Sequence, residues 1–94
     1  MRSWHLIAYD VRDEERLRRV ARVLEGYGER VQYSVFRCRL SERGRSELLW
    51  RLSRVMEPED ALLVIPLCNR CRAGIIDRGS RRDWWRDPDP HLVV

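Results

Sequence analysis

Two stretches of the 94-residue chain, Leu6-Ile7-Ala8-Tyr9 and Ala61-Leu62-Leu63-Val64-Ile65-Pro66-Leu67, are apolar almost without interruption. Each is the length of a strand and too short for a helix. A strand wetted on one face alternates apolar and polar side chains. These two do not, so both faces of the sheet they enter must be covered. So short a chain builds one core, because each half alone would bury too little apolar surface to offset its conformational entropy. The chain's own helices can cover one face of the sheet. A second copy stacked about a two-fold axis is the economical cover for the other, so a homodimer is expected.

The segments between the runs supply those helices. Asp13 stands where an N-cap is needed, with Glu14 and Glu15 in the first turn, where the helix dipole favours negative charge. Leu17, Val20, Ala21, Leu24 and Tyr27 follow at helical spacing, with Arg16, Arg18, Arg19 and Arg22 largely off that stripe, and Gly26 and Gly28 bracket the end. Arg30 to Leu40 alternates and reads as a second strand, with Val31, Tyr33 and Val35 on one face and Gln32, Ser34, Phe36 and Cys38 on the other. Ser41 or Ser46 caps a second helix whose stripe is Leu48, Leu49, Leu52, Val55 and Met56, and Pro58 ends it. Ala61 to Leu67 forms a third strand. A polar turn, Cys68-Asn69-Arg70, leads to a predicted fourth over Arg72 to Asp77.

The order is read as strand, helix, strand, strand, helix, strand, although the segments above provide only one strand between the two helices. This is the split β-α-β repeat of an α+β, ferredoxin-like fold, an antiparallel sheet with two helices on one face. The domain is expected to span residues 1–79. Residues 80–94 form a C-terminal extension in which Trp84-Trp85 lies among Arg81, Arg82 and Arg86. That tail is expected to dock on the dimer or on a partner protein, or to add an edge strand through His91 to Val94.

The net charge is +4, and all nineteen basic residues are arginine. Guanidinium groups grip phosphate with two prongs, so one reading is a nucleic-acid surface; the other is a chain-wide preference for arginine over lysine. Three cysteines are too few for a disulfide framework, and the N-terminus does not resemble a signal peptide. The first apolar run is too short to cross a bilayer, so a cytoplasmic protein is expected. For Cys68-x-x-Cys71 a zinc or redox role is the lesser reading and the pair's role is left open. Zinc would need Cys38 and His5 or His91 to converge on the pair, and a thioredoxin-type pair would need a helix start where the sequence offers a turn between strands.

Asp10 closes the first apolar run. From the residues alone it is a turn cap, half of an ion pair, or a site. A lone carboxylate holds magnesium poorly, but two brought together by a two-fold axis make an adequate site. Tyr9 points to the opposite sheet face and reads as core.

The strand ending Tyr9-Asp10, the helix from Arg16 to Gly28 and the segment Glu29-Arg30-Val31-Gln32-Tyr33-Ser34-Val35-Phe36 together resemble the small CRISPR-associated adaptation protein, the second of the two universal Cas proteins. The likeness runs in register from Trp4 to Leu40 and fits the topology as far as Asp77; no family motif follows Gly79. It implies a ferredoxin-like homodimer acting in the capture of CRISPR spacers. It also implies a metal-dependent endonuclease, on single-stranded RNA or double-stranded DNA, with Asp10 as catalytic residue and ligand of magnesium, or of manganese in its place. In other members of the family the protein looks like a non-catalytic bridge that holds DNA between dimers of its integrase partner. The same resemblance marks Tyr9, Arg16, Arg18 or Arg19, Arg30 and Phe36 for nucleic-acid contact or site support, with Phe36 expected at the dimer interface. A small-molecule regulatory module of the same fold is the third reading.

Overall fold

The computed structural model describes residues 1–76 and Arg78. Its elements are β1 (Ser3–Asp10), α1 (Glu14–Glu25), β2 (Gly28–Gln32), β3 (Val35–Leu40), α2 (Glu42–Val55), β4 (Ala61–Leu67) and a short α3 (Asn69–Ala73). The sheet order is β2-β3-β1-β4, and every neighbouring pair is antiparallel. The first six elements make the expected α+β, ferredoxin-like arrangement.

Both long helices begin as their sequences dictate. The Asp13 carboxylate accepts the Arg16 amide at 2.9 Å, and the Ser41 hydroxyl accepts the Gly44 amide at 3.0 Å, so Ser41 rather than Ser46 is the second cap. Val20 and Leu24 of α1 and Leu48 and Leu52 of α2 are completely buried against Ile7, Tyr9, Phe36 and Cys38 of the sheet. Tyr27 ties the end of α1 to α2 by donating its hydroxyl to Glu47 Oε1 at 2.5 Å. Where β2 opens, Gly28 lies flat on β3. A Cβ there would sit 2.1 Å from the Arg37 carbonyl oxygen and 2.6 Å from Cys38 Sγ, so a side chain is excluded.

Two expectations are corrected. The segment 30–40 is a hairpin rather than one strand: β2 and β3 turn back at Tyr33 and Ser34, with Tyr33 largely exposed and the Ser34 carbonyl accepting the Tyr9 amide at 3.1 Å. This break supplies the two strands between the helices that the fold requires, β2 at the sheet edge and β3 beside β1. Arg72 to Asp77 does not form the predicted fourth strand. Asn69–Ala73 is helical, begun by Cys68, whose sulfur accepts the Cys71 amide at 3.4 Å; Asp77 lies outside the described residues. The proposed boundary at residue 79 and the extension 80–94 also lie outside them.

One sheet face carries α1 and α2; the other, the open face, carries neither of them, and no described element is stacked over it beyond the side chains named below. Along β1, His5, Ile7 and Tyr9 point to the core, while Leu6, Ala8 and Asp10 point to the open face. Across it Ala8 pairs with Val35 and Leu63, and Leu6 with Ile65. Leu63 is 58% exposed and Ile65 38%. Farther along the same face Trp4 is covered by arginine: the Arg37, Arg39 and Arg72 guanidinium groups lie 4.8, 5.9 and 5.7 Å from its ring centre, and Arg37 also pairs with Glu29 at 3.0 Å. No helix among the described residues is long and apolar enough to cross a membrane.

Candidate active site

Asp10 ends β1 opposite Ala61, the first residue of β4. Its side chain is exposed on the open face, beside a depression of about 380 Å³ that Ala8, Tyr9, Ala61, Leu62 and Leu63 also line. The carboxylate makes no hydrogen bond or ion pair with any described residue, so among them it is neither a cap nor half of an ion pair. Val11 then turns back into the core and Asp13 starts α1, so the chain leaves the acid at the rim of an apolar surface.

Tyr9 faces the other way. Its ring packs against Phe36 at a centroid separation of 6.2 Å, and its hydroxyl is buried without a partner among the described residues. Burial pushes the phenol upward and the nearby Arg30 guanidinium opposes that shift. Tyr9, Arg18 and Arg30, with Leu17, Ala21 and Tyr33, line a cleft of about 290 Å³ on the helix side of the sheet. Arg30 donates to the Tyr33 carbonyl and caps the Phe36 ring at 5.0 Å.

The structure separates Arg18 from Arg19, which spacing could not do. Arg18 borders the Tyr9 cleft; Arg19 pairs with Glu15 at 2.8 Å and borders a larger cleft of about 490 Å³ between α1 and α2, with Arg22, Tyr27, Glu47 and Arg51. Arg16 reaches Asp60 at the foot of β4. Phe36 is corrected: it is fully buried in the chain's own core, opposite Ile7, and does not lie on the open face. Asp60 was not singled out from the sequence, although an acid between a proline turn and an apolar strand was a visible signal.

Oxygen donors of this kind suit a hard divalent cation. Among the described residues no group of three or more histidine, cysteine or acidic side chains converges to hold a metal ion.

With this geometry established, comparison with known proteins gives one family. Its profile, described as CRISPR associated protein Cas2, matches residues 1–75. A Synechocystis protein named CRISPR-associated endoribonuclease Cas2 3 is 48% identical over 67% of this chain and 70% of its own length. A second from the same organism, CRISPR-associated endoribonuclease Cas2 2, is 42% identical over 89% of this chain and 91% of its own length. Among solved structures, Streptococcus pyogenes Cas2 superimposes with a TM-score of 0.72 at 29% identity, covering 81% of this chain and 99% of its own. A hypothetical protein from Thermus thermophilus superimposes with the same TM-score at 38% identity, covering 73% of this chain and 85% of its own.

Proposed function

The chain belongs to the Cas2 family of CRISPR-associated proteins, and we propose that it is a nuclease hydrolysing phosphodiester bonds of single-stranded RNA or double-stranded DNA at a site built from the Asp10 carboxylates of two copies. The observation that carries this reading is Asp10, without a partner among the described residues, at the rim of the apolar strip formed by Ala8, Leu63 and Ile65. A two-fold axis through that strip would bury the strip and bring the two acids towards each other. The names of the relatives, endoribonucleases among them, agree with the chemistry.

Magnesium, or manganese in its place, supplies charge neutralisation at the phosphate and a more acidic water when bound. The chain's own part is to hold and orient. The two Asp10 side chains provide the oxygen donors, Tyr9 and Phe36 pack behind the strand that carries them, and Arg16 steadies the opposing foot of β4 through Asp60. Arg18 and Arg30 offer guanidinium groups to the phosphate backbone. A scaffold that shapes DNA for an integrase partner without cutting is the second reading. It is favoured by the arginine-lined clefts beside the two halves of α1.

The test is cleavage of single-stranded RNA and duplex DNA with magnesium, with and without chelator, by the native protein and by Asp10→Ala. Removing a group that only hydrogen-bonds a metal ligand already costs about 10–100-fold, so loss of the ligand itself is expected to lower the rate at least about 100-fold. Undiminished cleavage by the variant would remove Asp10 from the reaction. Native protein that binds duplex DNA with a steep salt dependence but cuts no substrate would establish the scaffold instead.

A further inference from the structure

Cys68 and Cys71 flank the corner between β4 and α3, with their sulfur atoms 3.3 Å apart. Both residues are exposed. The sequence reading set a redox pair aside because it placed a strand after the turn. The structure places a helix there, and its first turn brings residues i and i+3 onto the same side. We propose that Cys68 and Cys71 are a redox-active dithiol, a modification site that closes reversibly into an intramolecular disulfide by exchange with a disulfide-bearing small molecule or protein. This site is independent of the nuclease reading.

The geometry stands close to the product. A disulfide needs its sulfurs at about 2.0 Å, so closing the pair requires a movement of roughly 1 Å, within reach of two side-chain rotations on an exposed turn. Among the described residues both cysteines are exposed to an incoming oxidant. The Cys71 amide donates to Cys68 Sγ at 3.4 Å and the two thiols are in hydrogen-bond contact, and these interactions lower the Cys68 thiol from its ordinary range. Cys38 is a built-in contrast: it is completely buried opposite His5, and burial pushes its thiol up to about 12.

Exchange runs in two displacements. The Cys68 thiolate attacks one sulfur of R–S–S–R, forming a Cys68–S–S–R bond and expelling RS⁻. The Cys71 thiolate then attacks the Cys68 sulfur, forming the internal disulfide and expelling the second RS⁻. The protein loses two electrons and two protons, and the oxidant leaves as two RSH. Closing the ring fixes the corner from which Arg72 reaches over Trp4 on the open sheet face.

The full chain is equilibrated with reduced and oxidised glutathione at a series of ratios, quenched in acid, alkylated and digested with trypsin. Trypsin cuts after Arg70, between the two cysteines, so only a disulfide keeps the flanking peptides together. The expected result is a linked pair of peptides, lighter by two hydrogens, appearing in one transition while Cys38 remains free. Cys68→Ser and Cys71→Ser should each lose the linked pair and instead accumulate glutathione on the remaining thiol. Four results would overturn the proposal: both thiols alkylated even in pure oxidised glutathione, a glutathione adduct on native protein that never closes, a disulfide joining two chains, or protection before oxidation that a zinc chelator removes.

Discussion

Arg16 holds Asp60 with two prongs: Nε donates to Oδ2 at 3.0 Å and Nη2 donates to Oδ1 at 3.1 Å. The Asp60 side chain is 2% exposed, and its Oδ2 also accepts the Glu57 amide at 2.9 Å. Because Ala61 follows Asp60 and pairs with Asp10, this clamp ties α1 to the foot of the strand that faces the candidate site. Arg16 is therefore engaged with a carboxylate inside the chain.

The clamp gives the protein an acid-sensitive joint. The Arg16 guanidinium, seconded by the Glu57 amide, holds the Asp60 carboxyl below its ordinary value of 3.8. A depressed folded-state value contributes stability that is present above 3.8 and lost as pH falls below it. Urea midpoints measured from pH 7 to pH 2 should show native protein weakening faster than Asp60→Asn below pH 4. At pH 7 the variant should be the less stable, and by more than Arg19→Ala, whose ion pair is largely in solvent. Parallel curves for native protein and Asp60→Asn would show that the clamp is not an acid joint.

Leu63 tests the open face. It is more than half exposed beside Ala8, and Leu63→Glu would place a carboxylate in each half of a stacked pair. Burying unpaired charge costs several kcal/mol, so the dissociation constant measured by sedimentation should rise at least about 100-fold. Cleavage should fall with it while the circular dichroism of the chain is unchanged, because Leu63 lies outside the core. An undisturbed dimer would place the contact on another surface.

Much of this architecture was legible from residues close together in the chain. The caps Asp13 and Ser41, the stripes of α1 and α2, and the two-faced apolar character of β4 are local patterns, and each folds as read: Leu62 and Val64 pack inward while Leu63 and Ile65 point out. The hairpin was hidden because alternation runs straight through Tyr33-Ser34 without the glycine, proline or asparagine that usually marks a turn. α3 was hidden because five residues carry too little periodicity to tell a helix from a strand. Phe36 was placed on the wrong face for a related reason. Alternation sorts a strand's side chains into two sets without saying which set meets the helices, and a bulge between Arg30 and Gln32 shifts the phase. At the site, the position of Asp10 was readable, but the partner of Arg16 lies forty-four residues away and no local pattern points to it.

The two neighbouring arginines that spacing could not rank now differ in surroundings. Arg18 is largely free in solvent, 3.7 Å from Glu14, beside the Tyr9 and Arg30 cleft; Arg19 is held by Glu15 at 2.8 Å. If Arg18 meets phosphate, Arg18→Ala should weaken binding to all sequences alike and reduce the slope of log affinity against log salt by about 1. Arg19→Ala should change it less. Anisotropy titrations of a labelled duplex over a salt series measure both. Equal slopes for native protein and Arg18→Ala would take this cleft out of the nucleic-acid surface.

His5 sets a second pH limit, nearer neutrality. It is 1% exposed on the core side of β1, with Nδ1 donating to the Ser3 carbonyl at 3.0 Å and Nε2 lacking a partner among the described residues. Burial lowers its value below the ordinary 6.5, the Arg45 charge acts in the same direction, and the Ser3 carbonyl opposes both. The folded protein therefore holds the imidazole neutral where the unfolded chain would protonate it. The sign follows: both states are neutral well above 6.5, and below it the unfolded chain takes up a proton that the folded one refuses, so stability falls as pH drops. Thermal midpoints between pH 8 and pH 5 should decline for native protein, and His5→Leu should decline less even if its midpoint at pH 8 is already lower. An equal decline in the variant would assign the effect to other groups.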